Sequence, residues 1–262
     1  MNVLNIQKMV LVVLAGLVAI AITSPASASF TAFEIRNTPT IVFNPATYPV
    51  GSIEFIIDGG GDKAGLGSDD INGQTLGSIA NLQIDRLDDR TRFTAGSGPY
   101  VAPYLNFWIT DGTNYAIVAN EPSNSAFQPL YDNGYNLDFA DLSDKVAKIY
   151  ENADKSWLPD VGFGNGVDLT FSDLAGYIIQ APTVAELTTG WAGLGSGAPR
   201  ELGTNVAYGV NWVFGDTLSN YVSGDDGYIV ANASVSAVPV PAAVWLFGSA
   251  LGLLGWMRRK AA

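Results

Sequence analysis

The chain has 262 residues and a net charge of −12, from 13 basic and 25 acidic side chains, and it contains neither His nor Cys. Lacking Cys, it forms no disulfide; lacking both, it has none of the usual zinc, copper or haem ligands and no Cys or His nucleophile or base. Catalysis would have to use carboxylate, Tyr, Ser or Lys chemistry, and so acidic a surface repels nucleic acid and anionic lipid.

The first 28 residues read as a secretory signal peptide. Lys8 sits in a short n-region, residues 9–22 are an unbroken apolar run, and Ala26-Ser27-Ala28 gives an A-x-A cleavage site before Ser29. A buried core helix would instead interleave polar residues. Three segments follow: signal peptide 1–28, an extracytoplasmic β-rich domain 29–237, and a C-terminal segment 238–262. The middle part has the size of one medium domain. Lys8, Arg258, Arg259 and Lys260 lie outside it, so it carries nine basic and all 25 acidic residues, 9 − 25 = −16. Such a charge suits solubility after export, and it also suits divalent cations.

Within the body, residues 30–36 alternate as a strand, and residues 50–57 read as a strand ending at Asp58-Gly59. Residues 58–73 (DGGGDKAGLGSDDING) read as one long Gly- and Asp-rich loop. Residues 79–87 alternate through Leu82 and Ile84. Residues 100–110 form the clearest strand; Asp111-Gly112 supplies a turn and residues 115–119 return as a hairpin. Leu142, Val146, Ile149 and Tyr150 recur at helical spacing, with Asp138 or Asp141 as cap and Lys145 and Lys148 toward the end. Residues 171–174 predict another short helical turn, capped by Thr170 or Ser172. Residues 193–199 are a loop, and residues 205–214 and 228–235 are strands. The expected fold is mainly β: an antiparallel β-sandwich of jelly-roll type with one or two short helices, flanked by the signal peptide and a C-terminal transmembrane helix.

Candidate chemistry is sparse. Asp58, Asp62, Asp69, Asp70 and Asn72 supply oxygen ligands of the kind Ca²⁺ takes, in a spacing that is not an EF-hand. The same residues suit plain turns. A shorter acidic loop spans residues 224–227. Gly59-Gly60-Gly61 lacks the Gly-Lys-Ser/Thr ending of a phosphate loop. Tyr131 and Tyr135 (YDNGY) and Trp191 (TTGWAGLG) are the aromatics placed to contact a glycan, whereas Trp108 and Trp212 sit inside apolar strands and read as core. A glycosidase needs two facing carboxylates. Glu54 alternates with Ile53 and Phe55 on a strand, but no second glutamate has comparable placement, so no catalytic residue is named. The expectation is a non-enzymatic, glycan-associated or structural protein; the alternative is a secreted carboxylate-based glycan hydrolase or lyase.

The C-terminal segment has a distinct order. Val238, Pro239 and Pro241 lead into an apolar run, residues 242–257, closed by Arg258, Arg259 and Lys260. As a helix the run spans about 24 Å at 1.5 Å per residue, a little short of the roughly 30 Å hydrocarbon core. Trp245 and Trp256 lie near its ends, and the basic cluster would stay cytoplasmic. Val238-Pro239-Val240-Pro241-Ala242-Ala243-Val244-Trp245-Leu246-Phe247-Gly248-Ser249 resembles the PEP-CTERM sorting tails, and specifically their V-P-L-P-A variant, with Val240 in the Leu position. The resemblance covers about a tenth of the chain. It implies a Gram-negative host making exopolysaccharide, an exosortase-type membrane enzyme as partner, a membrane-anchored precursor, and delivery to the cell surface or matrix. It implies nothing about what the body does.

Overall fold

The computed structural model describes residues 29–59, 61–89, 102–120, 125–127, 130, 135–151, 158, 168–183, 185, 207–215 and 225–238. Among these, twelve strands pair into two sheets, antiparallel in every pairing. The seven-stranded sheet runs β1 (Thr31–Arg36), β4 (Lys63–Ser68), β11 (Val210–Phe214), β6 (Tyr104–Thr110), β7 (Tyr115–Ala119), β9 (Lys148–Glu151), with β10 (Ile178–Ile179) pairing to β6. The five-stranded sheet runs β2 (Thr40–Phe43), β3 (Ile53–Ile56), β12 (Tyr228–Ala237), β5 (Ile79–Arg86), β8 (Asn136–Leu137). The chain shuttles between the sheets, so most pairings join residues far apart in sequence.

The mainly β, antiparallel expectation holds. The two sheets share one apolar core. Leu66, Leu105, Phe107, Trp212 and Phe214 enter it from the larger sheet, and Phe55, Leu82, Ile84, Tyr228 and Val230 from the smaller. Phe55 stacks on Phe214 with ring centroids 4.1 Å apart, and Phe214 meets Tyr228 edge-on at 5.5 Å. Those aromatic contacts tie β3, β11 and β12 together across the interface.

The hairpin β6–β7 forms where the alternation and the Asp-Gly turn place it. Thr110 faces Tyr115, Gly112 takes φ +97°, and Asp111 Oδ1 accepts the N–H groups of Thr113 and Asn114, both at 2.8 Å. These bonds, Asn114's first, hold the Asp111 carboxyl below its usual pKa.

Two expectations are corrected. Residues 58–73 are not one loop, because β4 runs through them as an interior strand buried along its length. Its glycines are the reason. A Cβ on Gly65 would lie 2.6 Å from the Phe33 ring, and one on Gly67 would lie 2.4 Å from the Tyr208 ring. Aromatic rings lying directly on the backbone replace the side chains a strand would otherwise need. The second correction concerns the helix expected to reach Tyr150. The α-helix α1 covers only Phe139–Ser143. Asp138 caps it, accepting from Ala140 N (2.8 Å) and Asp141 N (3.2 Å), while Asp141 accepts from Asp138 N in return. Beyond Asp144 the chain bridges Val146 to Thr170 and pairs as β9 against β7. The edge of β7 takes residues 148–151, β-branched Ile149 among them, and with the Val146 bridge this pairing overrides the helical spacing. Residues 171–176 form turns, with Thr170 and Asp173 bonded reciprocally, the hydroxyl reaching Asp173 Oδ2 at 2.7 Å.

Candidate functional site

The candidate Ca²⁺ ligands do not converge. Asp58 and Asp62 precede β4 and Asp69, Asp70 and Asn72 follow it, with a six-residue strand of about 20 Å between them. Asp62 closes its own turn: its Oδ2 accepts Gly59 N (2.9 Å) and its Oδ1 accepts Asn37 Nδ2 (3.1 Å). Asp69 Oδ1 accepts Gly209 N (2.8 Å) and Asn72 Nδ2 (2.9 Å). Asp70 Oδ2 accepts Ser68 Oγ (3.0 Å) and Ser29 N (2.5 Å). Among the described residues, no three His, Cys, Asp or Glu side chains gather in a metal-holding group.

The glycan-contact candidates fare differently. Tyr131 and Trp191 lie outside the described residues. Tyr135 is a core residue, 1% exposed, with its ring edge-on to Trp212 at 5.8 Å. Its ring is therefore not a surface platform. Its hydroxyl accepts Arg86 Nη1 at 2.8 Å, and the guanidinium sits 5.2 Å from its centroid. Arg86 is also held by both oxygens of Asp88, with the two side chains buried, and Asp88 Oδ1 accepts Ile229 N at 3.1 Å. Burial alone would lower the Arg86 pKa; Tyr135 and Asp88 beside it outweigh that and raise it. This cluster pins the end of β5 to β12.

Glu54 does not point into a cleft: its Oε1 accepts Gly227 N at 2.8 Å and closes the start of β12. In the second acidic loop Asp226 accepts the Tyr48 hydroxyl at 2.6 Å, and that bond, with partial burial and the Asp226 charge, pushes the phenol up to about 12.

Sequence reasoning missed the outer face of the seven-stranded sheet. Leu105, Phe107 and Ile109 of β6 enter the shared core, so by alternation Tyr104, Asn106, Trp108 and Thr110 point the other way. That second face is buried too. Trp108, Ile117 and Ala119 form one cluster, and Ile35, Tyr104 and Val213 form another. Between them Asn106 stands directly opposite Asn211, which stands opposite Gly67. Both Oδ1 atoms of the Asn pair are buried with no hydrogen-bond partner. Lys63, 1% exposed, places Nζ 5.5 Å from the Tyr104 ring. The arrangement offers two carbonyl acceptors and flanking aromatics, closed off from solvent. The alternation of β6 was the available signal, since every second residue there is polar or amphipathic.

Of the terminal signals, Ser29 and Val238 are described. Ala26, Ala28, Pro239, Pro241, Ala242, Ala243, Trp245, Leu246, Phe247, Gly248, Ser249, Arg258, Arg259 and Lys260 lie outside the described residues. No helix among the described residues is long and apolar enough to cross a membrane. Compared with protein-family models, with curated proteins and with solved structures, the chain matches none.

Proposed function

We propose that this is an exported cell-surface or exopolysaccharide-matrix protein, processed through its C-terminal tail by an exosortase-type membrane enzyme. Its body is a non-enzymatic sandwich of jelly-roll type, glycan-associated or structural, and a membrane helix holds the precursor before processing. The observation that carries the reading is the order of the last residues: V-P-V-P-A, an apolar run, then Arg258-Arg259-Lys260 at the end. An A-x-A site before Ser29 agrees with it, as does a body of charge −16 without Cys or His. The bonds made by Asp62, Asp69, Asp70 and Glu54 within the fold also fit a scaffold, since each carboxylate has a backbone or side-chain donor to hold.

The test is the intact mass of the mature protein recovered from the cell surface. The expected species starts near Ser29 and lacks the basic end. A chain retaining Arg258, Arg259 and Lys260 sinks the sorting reading. Retention of the mature body on the host's own polysaccharide, with and without Ca²⁺, then separates a glycan-associated protein from a purely structural one.

A further inference from the structure

Both ends of the body are fastened to one piece of chain. Residues 69–78 connect β4 to β5, and this connection is itself tightly held. Gly73 N donates to Ile179 O, Leu76 N to Tyr177 O and Gly77 N to Ala175 O, each at 2.9 Å, and Asp69 receives Gly209 N. At its start Asp70 receives the N–H of Ser29. At its end Ser78 O receives the N–H of Val238 at 2.6 Å. The first residue after the signal and the first residue of the tail motif therefore leave from the same pole.

Val238, the last of the described residues, is hydrogen-bonded to the body and is also the first of V-P-V-P-A. No spacer separates fold from motif. From Val238 to Ala242, where the apolar run begins, four extended residue steps reach at most about 14 Å. The headgroup layer alone takes about 5–8 Å of that. In a membrane-held precursor the short tether keeps the pole built from Ser29, residues 69–78 and Val238 close to the headgroups, against the repulsion that exposed Asp69 and Asp70 meet from anionic lipid. An enzyme working at the membrane surface has no room to seize an extended segment there while the end of β12 stays paired.

The fold provides a weak point at that place. The β12–β5 register shifts between Ser236 and Ala237, so the final pairing of Ala237 with Ile79 is already offset from the regular ladder. Val238 is 54% exposed. Resting on the sorting reading above, we infer that this pole is the docking surface for the membrane-embedded processing enzyme, and that processing requires Val238 to be released from Ser78. Fraying of the irregular end of β12 supplies the extended segment that the enzyme binds.

The experiment follows tail removal from the full-length chain by pulse labelling in the cells that produce it. One variant carries a short flexible Gly-Ser insertion between Ala237 and Val238. A control carries the same insertion between Asn37 and Thr38, exposed residues at the far end of β1 from Ser29. The expected result is tail removal about fivefold faster in the first variant only, the factor that one net backbone hydrogen bond is worth. An equal or slower rate overturns the inference and leaves the sorting reading standing. Retention of the tail by all three chains overturns both.

Discussion

The two sheets share a core but differ on their outer faces. The five-stranded sheet keeps the ordinary contrast. Its β5 and β12 turn Leu82, Ile84 and Val230 inward, and display Asn81, Gln83, Asp85, Asn232 and Ser234 outward, bonded to one another. The seven-stranded sheet has no such contrast in its interior strands: β4, β6 and β11 are buried along their whole length, and β7 is buried beyond Tyr115. One of its faces is apolar; the other carries Lys63, Tyr104, Asn106, Trp108 and Asn211 away from water. The difference teaches that alternation in a strand reports two environments without saying that one of them is solvent.

The largest expected effect tests the shared core. Trp212→Ala removes the largest buried side chain of β11 and its contact with Tyr135, and should cost about 3–5 kcal/mol of stability. Urea unfolding followed by circular dichroism and by tryptophan fluorescence should shift together. Separate transitions for the two probes would mean that the sheets do not depend on one core.

Next come the glycines of β4. Gly67→Ala places a methyl into the Tyr208 ring and within 2.7 Å of Asn211 Oδ1, and should cost about 1–3 kcal/mol. On the other sheet Ser236→Ala, at an exposed outward position, should stay within about 0.5 kcal/mol. Similar losses at the two positions would erase the contrast between the faces. A double-mutant cycle with Tyr208→Ala should show coupling at Gly67, because the ring clash disappears while the Asn211 Oδ1 contact remains.

The glycines also show where sequence reading stops. The β6–β7 hairpin is legible because everything that specifies it is local: alternation along β6, Asp111 bonding its own turn, and Gly112 at positive φ. β4 is not legible, since Phe33 and Tyr208, which make a Gly-rich segment a strand, lie far from it in sequence. Tyr135 misleads for a related reason. YDNGY has the composition of a surface turn, yet the ring is fixed by Arg86, 49 residues away, and by Trp212. The helix begins after Asp138, one of the two caps the sequence offers, and ends early because β7 offers an edge to residues 148–151. The Asn106–Asn211 pairing depends on the β6–β11 register, which no local pattern encodes.

Those asparagines set a third contrast, between two buried amides on the same hairpin. Asn120 Oδ1 accepts Leu105 N at 2.5 Å, whereas Asn106 Oδ1 has no partner. Asn120→Leu should therefore cost about 1–3 kcal/mol, by stranding a buried N–H. Asn106→Leu should be neutral or stabilising, since it removes an oxygen that was already unpaired. Comparable losses at both sites, in the same unfolding assay, would show that the Asn106 oxygen is satisfied in solution and that the outer face is wetter than its burial indicates.

The smallest effect belongs to the five-stranded sheet, where the polar ties are accessible. Tyr48 reaches from the β2–β3 connection to Asp226, just before β12. Its phenol is raised to about 12 from 10.0 by that hydrogen bond, by partial burial and by the Asp226 charge. The sign follows from linkage: the folded state holds the proton more tightly than the unfolded one. The contribution is complete below pH 10 and is lost as pH rises from 10 through about 12. Because the pair is largely open to solvent, the stability at stake is small and screened by salt. An ultraviolet difference titration of the native chain against Tyr48→Phe should show one phenolate appearing near pH 12. A difference transition near pH 10 would mean that the Asp226 contact is not kept in solution, leaving the Glu54 bond to Gly227 N as the described side-chain tie between β3 and the start of β12.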